Sequence, residues 1–330
     1  SNPLISTLFD LAFSCFLFYS LGILLLVEVY GGSVLALCVE DKECVLQQVK
    51  PPVLIPHSVR ISVKAIGVNR ADILQRKGFY PAPAGVRNDI LGLECSGVVV
   101  EVSTDLSIDV QNAWMGKAVM ALVPGAAYAR EVVVDIGSVM RIPTGLSFVQ
   151  AAGIPEVFLT AFDALFMQAR LKQGHKVLIH AIGSGVGDAA RQLCIAMGYK
   201  VFGTTRSKSK WQRLTSETCP VYLIENGVFP VDLPKVDVIL DFVGAAYLSQ
   251  NLQWLQKGGH LQIIGLLGGV REMLNLGTIL TKQLTIRGTT LRARSDHQKQ
   301  ELVASFEASC RDLLTTGELS PTIDSVYDWR

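Results

Sequence analysis

The sequence predicts an α/β protein of two domains, the first rich in strands and the second a doubly wound parallel sheet with helices on both faces. Three features carry that expectation. Short apolar runs with alternating Val and Ile fill the first half, strand-like and helix-like segments alternate from about residue 149, and a glycine turn stands between one such strand and its helix. A chain of 330 residues is long enough to bury two cores.

The elements follow in chain order. Residues 11–27, LAFSCFLFYSLGILLLV, carry no charge. That run is just short of the roughly 20 apolar residues of a spanning helix, and neither flank has the Lys or Arg of a signal peptide or an oriented anchor. Three readings of residues 1–23 therefore stay open: a membrane tether, against which length and flanks weigh; a buried N-terminal segment; and non-native sequence fused upstream. From residue 24 the segments LLLVEVYGG, VRISVKAIGV, LECSGVVVEV, KAVMALVPG and AREVVVD read as strands, with Pro81, Pro83 and Gly85 marking a loop among them. Beyond residue 148 the rhythm changes. SFVQAAGIPEVFLTAFDALFMQA has helical spacing, HKVLIHA is a short buried strand, GVGDAARQLCIAMG is a helix ended by Gly198, and KVFGTTR, VDVILDFVG and GHLQIIGLLGG are further strands.

Composition narrows the function. With a net charge of +1 there is no basic excess of the kind that holds nucleic acid, so no nucleic-acid partner is expected. The seven cysteines are odd in number, scattered and never spaced as CxxC, which suits buried thiols in a reducing, cytoplasmic setting and offers no metal knuckle.

The glycine turn lies in VLIHAIGSGVGDAARQL, residues 177–193, with the spacing GxGxG. Glycines there let backbone approach a pyrophosphate, and the helix that follows offers unpaired N–H groups and a positive dipole end. Read alone, the same turn also fits a tight strand-to-helix connection with no ligand. The end of the next strand, GTTRSKSK, lacks the carboxylate that an NAD site uses for the ribose hydroxyls. Arg206, Ser207 and Lys210 are instead placed to receive a 2'-phosphate, a preference of about ten- to several-hundredfold for two charge-assisted contacts at an exposed site. The expected cofactor is NADPH.

With the turn placed, VKAIGVNRADILQRKGFYPAPAG, ILGLECSGVVVEV, AAGIPEVFLTAFDAL, VDVILDFVG and GTTLRARS form an ordered set. This set resembles the zinc-independent quinone oxidoreductases, relatives of zeta-crystallin within the medium-chain dehydrogenase/reductase superfamily, from about Val27 onward. The resemblance implies a GroES-like β-barrel domain over residues 24–148, a Rossmann doubly wound parallel-sheet domain over 149–287, a return to the first domain over 288–330, and an active cleft between the domains. It also implies site residues. Tyr80 matches a tyrosine beside the nicotinamide and acceptor, able to orient a quinone or enone, and Asn69 and Thr160 match cofactor-side positions. Gly183, Ser184, Gly185 and Val186 match the pyrophosphate turn. Gly244, Ala245, Ile264, Gly265, Leu266, Leu267, Thr290, Leu291 and Arg292 match positions along the cofactor. Asp72 matches a supporting residue rather than a proton carrier. Where zinc-dependent relatives hold their catalytic metal with Cys, His and Cys, this chain aligns Asn69, Leu93 and Glu156. Leucine cannot ligate, so no metal is expected.

Some residues depart from that pattern. Ile182 stands where a small residue is usual, either crowding the pyrophosphate or packing below it. LIENGVFPVDLPKVDVILD is short, and Pro230 with Pro234 leaves little room for a crossover helix. Asn226 stands near an adenine-side tyrosine position, and GELSPTIDSVYDWR reads as an approach to a last edge element that the sequence does not contain. The expected function is an NADPH-dependent quinone oxidoreductase working by zinc-independent hydride transfer. The alternatives are an NADPH-dependent reductase of α,β-unsaturated carbonyls and a catalytically weak NADPH-binding structural or interaction protein. A small-molecule quinone or enone is the expected partner, and the family resemblance adds a homodimer or homotetramer.

Overall fold

The computed structural model describes residues 22–25, for their backbone, and 32–328. The described chain divides into two compact units, one running to Leu159 and resuming at Arg292, the other spanning Thr160–Leu291. Both boundaries lie later in the chain than 148/149 and 287/288. The helix Phe148–Ala152 packs on strands of the first unit, and the four residues Thr285–Gly288 are a strand of the second.

The first unit is built on β1 (Gly22–Leu25), β2 (Val34–Glu40), β3 (Glu43–Val49), β4 (Ser58–Val68), β5 (Glu94–Val102), β6 (Ala118–Leu122), β7 (Glu131–Asp135) and β8 (Val139–Arg141). β4 shows why the period-2 reading works. Val59, Ile61, Val63 and Ala65 are buried while Arg60, Ser62 and Lys64 are half-exposed, and the strand then becomes wholly buried through Val68. β4 pairs antiparallel with β1, β5 and β7, and β2 with β3 form a separate hairpin. Tyr128, Leu37, Ile61 and Leu91 sit at the centre of the core.

β1 draws four residues of the apolar stretch 11–27 into this sheet, in register with β4 from Gly22 opposite Val68 to Leu25 opposite Ala65. Residues 22 and 23, assigned above to an N-terminal segment, therefore belong to the first unit. The rest of residues 1–23 lies outside the described residues, and with it most of the stretch read as a tether. Among the described residues no helix is long and apolar enough to cross a membrane.

In the second unit β9 (Lys176–Ile179), β10 (Lys200–Thr205), β11 (Val221–Leu223), β12 (Val236–Asp241), β13 (Leu255–Ile263) and β14 (Thr285–Gly288) are all parallel, in the order β11-β10-β9-β12-β13-β14. This is the doubly wound arrangement whose strand order reverses beside the first strand, here between β9 and β12. As expected from Pro230 and Pro234, the crossing from β11 to β12 contains no helix. Ile224, Phe229 and Leu233 fill that layer instead, against Tyr247, Leu252 and Leu178. The helical run from residue 147 breaks into Phe148–Ala152 and Pro155–Phe162, because Gly153 ends the first piece and Pro155 suits a helix start. After β14 and Arg292, the chain closes with the helix Asp296–Thr316 and β15 (Ser325–Asp328), which pairs parallel with β1.

Candidate functional site

Within the first unit, polar residues from separate segments share one buried cluster. Asn69 begins the helix Arg70–Arg76, and Asp72, three residues on, reaches back to accept the Asn69 amide at 2.7 Å. The same carboxyl accepts from Gly92 N–H at 3.1 Å and from the Tyr128 hydroxyl at 3.0 Å. The Asn69 side chain instead donates through Nδ2 to Glu94 Oε1 at 2.7 Å, while Glu94 Oε2 accepts the Glu156 amide at 2.8 Å. Gly67 makes room for this, since a Cβ there would lie 2.1 Å from Glu94 Oε1.

Three carboxyls in a dry cluster cannot all ionise cheaply. Burial lifts Asp72 to about 6 even against its three donors. Burial also pushes Glu94 well above the ordinary carboxylate range, and it lifts Glu156 to about 8, with Asp72 adding repulsion and Arg292 and Lys299 opposing. Glu156 is half-buried, and its carboxyl accepts no hydrogen bond among the described residues, unlike the other two. Leu93, between the Asn69 and Glu156 positions in the aligned metal set, is 2% exposed hydrocarbon.

Arg292 belongs to this unit. Its Nε donates to the Pro124 carbonyl and its Nη1 to the Tyr80 carbonyl, each at 3.1 Å, and its guanidinium lies 5.1 Å from the centre of the Tyr80 ring. Nη2 is buried and makes no hydrogen bond among the described residues. Burial raises the half-buried Tyr80 phenol above its usual value, with Glu156 adding to the rise and Arg292 opposing it. The structure thus brings Tyr80 and Arg292 together, and Asn69 to Glu94.

In the second unit the expected residues gather at the carboxyl ends of β9, β10, β12 and β13. Ser184 caps the helix Gly185–Ala196, its Oγ accepting from Gly187 N–H at 3.1 Å, and the amides of Gly185 and Val186 open the helix with no partner among the described residues. A Cβ at Gly187 would stand 2.6 Å from the Ala181 carbonyl oxygen. Gly187→Ala is accordingly expected to cost about 1–3 kcal/mol by forcing the turn open, read as a lower midpoint in denaturant unfolding. Ile182, fully buried, packs below the turn into the space Gly203 leaves on β10, where a Cβ would lie 2.4 Å from its Cδ1.

Lys210 is placed differently from the exposed cation the sequence suggests. Only 8% exposed, it donates through Nζ to the Gly183 carbonyl at 2.7 Å and so ties the helix Lys208–Leu214 to the glycine turn. Arg206 is exposed beside it, and Ser207 caps that helix. Gly244 (φ +78°) and Ala245 follow β12 and meet Ile264–Leu267 after β13: Ile264 N–H bonds the Asp241 carbonyl at 2.8 Å and Leu267 N–H that of Phe242 at 3.1 Å. Thr160 stands half-buried on the helix Pro155–Phe162, Thr290 is exposed and Leu291 is buried.

Beneath these strand ends lies a network that sequence reading missed. His180, fully buried at the end of β9, has Nδ1 2.8 Å from Thr204 Oγ1 and Nε2 2.7 Å from Asn251 Oδ1. Asn251 Nδ2 donates to Asp241 Oδ2 at 3.1 Å, and Asp241 Oδ1 accepts the Val243 and Gly244 amides at 2.6 and 3.1 Å. A histidine inside the apolar string VLIHA was the available signal.

These features define a two-unit α/β architecture, a largely antiparallel strand unit with a six-stranded parallel sheet of dinucleotide-fold strand order inserted before its last segment. Residues 55–144 match the alcohol dehydrogenase GroES-like domain family, and residues 231–307 the family described as zinc-binding dehydrogenase. A quinone oxidoreductase of Lama guanicoe is 28% identical over 84% of this chain and 83% of that one. The pikromycin polyketide synthase component PikAII of Streptomyces venezuelae is 41% identical over 65% of this chain, and the phenolphthiocerol synthesis polyketide synthase Pks15/1 of Mycobacterium bovis 38% over 63%. The chain spans only 6% and 10% of those two synthases. Among solved structures, the CurK enoyl reductase superposes with a TM-score of 0.74 at 25% identity, covering 89% of this chain and 91% of that one. An alcohol dehydrogenase superfamily protein from Novosphingobium aromaticivorans gives 0.73 at 26%, covering 87% and 88%. The chain belongs to the medium-chain dehydrogenase/reductase superfamily of oxidoreductases, with a GroES-like domain and a Rossmann-type sheet.

Proposed function

We propose that the chain is an NADPH-dependent quinone oxidoreductase that transfers a hydride without a catalytic metal. The observation that carries this is the polar cluster of the first unit. At the three aligned metal positions, Asn69 is committed to Glu94, Leu93 is hydrocarbon and Glu156 stands alone, while the buried Nη2 of Arg292 and the Tyr80 phenol remain to stabilise an oxygen that gains charge. The quinone oxidoreductase of Lama guanicoe supports the acceptor class because the match runs over most of both chains. The zinc in the second family's name carries no weight here, since residues 231–307 include none of those three positions.

The fit to a dinucleotide rests on the glycine cradle. Gly183, Ser184, Gly185 and Val186 are the residues for the pyrophosphate, with Gly187 keeping the turn tight and Lys210 fixing it from behind. Arg206 and Ser207 are the residues for the 2'-phosphate. Gly244, Ala245, Ile264–Leu267, Thr160, Thr290 and Leu291 complete the second unit's share. When bound, the cofactor supplies the hydride; the chain's own residues orient the acceptor and handle the proton.

A second reading, reduction of α,β-unsaturated carbonyls, is favoured by the likeness to the CurK enoyl reductase. Titration of the purified chain with NADPH and NADH, followed by a simple ortho-quinone or an enone, tests both. NADPH is expected to bind about ten- to a hundredfold tighter, and Arg206→Ala to bring the two nucleotides within a few-fold of each other. Turnover of the enone with none of the quinone would move the assignment to the second reading. Binding of neither nucleotide would overturn both.

A further inference from the structure

We infer that Glu156 is the proton donor to the reduced acceptor, with the free Nη2 of Arg292 holding the acceptor oxygen. The inference rests on the reductase reading above and deepens it by assigning the proton.

Of the three carboxyls in the first unit's polar cluster, two are spoken for. Asp72 is fully buried under three donors, and Glu94 is fully buried between Asn69 Nδ2 and the Glu156 amide. Of the three, Glu156 keeps exposed surface and a carboxyl with no hydrogen bond among the described residues, and its backbone is pinned by Glu94 at 2.8 Å, so the side chain starts from a fixed point. Arg292, whose charge acts on Glu156, is 8% exposed, anchored by two carbonyls, and left with one buried nitrogen that donates to nothing among the described residues. A buried donor without a partner carries a desolvation cost that an oxygen ligand would relieve. The Glu156 carboxyl and the Arg292 guanidinium act on each other's charge, and an acid with a cationic donor are groups suited to proton-coupled hydride reduction of a carbonyl.

The charged and titratable groups acting on Glu156 come from every element around it: Asp72 from the helix Arg70–Arg76, Tyr80 from the following loop, Glu94 from β5, Arg292 from the returning segment and Lys299 from the helix Asp296–Thr316. Burial outweighs the two cations, which is why its carboxyl holds a proton at neutral pH.

The step balances. The quinone would gain one hydrogen and two electrons as hydride from the C–H bond that breaks on a reduced nicotinamide dinucleotide, leaving negative charge on its second oxygen. The O–H bond of Glu156 then breaks and a new O–H bond forms on that oxygen, leaving a hydroquinone, the oxidised dinucleotide and a Glu156 carboxylate that recovers its proton from water.

Glu156→Gln and Glu156→Asp test this in the full chain. Under saturating NADPH, wild-type turnover is expected to fall as pH rises through about 8. Glu156→Gln should bind NADPH with an unchanged Kd, lose at least tenfold in kcat at pH 7 and show no such pH limb; Glu156→Asp should restore part of kcat with the limb moved. Infrared difference spectra between pH 6 and pH 9, taken without nucleotide, should show a protonated carboxyl band that is lost at high pH in the wild type and missing in Glu156→Gln. Full kcat with an unchanged limb in Glu156→Gln overturns the assignment, and so does a Glu156 already ionised at pH 6, whatever the turnover. A wild-type chain that oxidises NADPH with neither quinone nor enone overturns the reductase reading and the donor role with it, and the infrared titration then shows whether the carboxyl's own behaviour had failed as well.

Discussion

Asp72→Ala is expected to destabilise the first unit by about 2–5 kcal/mol at pH 7, measured by urea unfolding. Two terms oppose each other. The substitution leaves the Asn69 and Gly92 amides and the Tyr128 hydroxyl without their acceptor, each in the interior, at roughly 1–3 kcal/mol apiece. Against this, the wild type carries a carboxylate whose ionisation is disfavoured in the fold. The rise from 3.8 to about 6 converts to about 3 kcal/mol that the alanine variant is spared at neutral pH. The lost acceptor wins because three donors outnumber one charge. The sign of the pH effect follows from a folded pKa above the unfolded one. The carboxyl's contribution is fully present below about 3.8 and is lost as pH rises through about 6, so the gap between wild type and variant should widen from pH 7 to pH 5. A gap that narrows toward pH 5 would mean that the carboxylate is stabilised in the fold and that burial does not dominate its environment.

The same residue shows what could be read from the sequence. Asp72 in GVNRAD was expected to support its neighbours, and it does so through the helix start at Asn69, a local relation three residues long. The alternation of β4, the glycine turn with its helix and the helixless crossing at Pro230 and Pro234 are equally local, set by side-chain period or backbone freedom, and the structure follows them. Glu94 and Glu156 were out of reach in a different sense. They lie 62 positions apart and meet through one amide-to-carboxylate bond, and nothing in either segment marks its partner. Lys210 was misjudged because KSK looks solvated in a string, whereas helical geometry turns its third residue back onto Gly183. The run from residue 147 to 169 looked continuous because its apolar spacing is helical on both sides of Gly153. Propensity at one glycine and one proline outweighed that pattern.

His180→Leu is expected to cost the second unit about 2–4 kcal/mol at pH 7 and to flatten its acid sensitivity. The amide of Asn251 is oriented by its donation to Asp241, so its Oδ1 faces His180 and accepts from Nε2–H; Nδ1 is then the acceptor for the Thr204 hydroxyl. A neutral ring satisfies both contacts, and a protonated one would as well, since the Thr204 hydroxyl can turn to accept from Nδ1–H; what disfavours the charge is its burial without a counter-charge. Burial lowers the ring from 6.5 to about 4, partly opposed by the bond to Asn251. The unfolded chain thus binds the proton first. The contribution of His180 is present above about pH 6.5 and is lost as pH falls through about 4, a loss of about 3 kcal/mol. Leucine keeps the packing volume between Phe229 and Tyr247, whose ring centres lie 5.2 and 5.0 Å from the imidazole, but leaves Thr204 and Asn251 unsatisfied. Unfolding of the two proteins at pH 7 and pH 5 separates these terms: the variant should start lower and fall less. The chain of bonds runs on from Asn251 through Asp241 to the amides of Val243 and Gly244, so loosening it should also weaken the nucleotide binding proposed for the Gly244 turn. If His180→Leu lost stability yet bound NADPH as tightly as the wild type, the network would be a packing device for the strand ends and would have no part in shaping the turn above it.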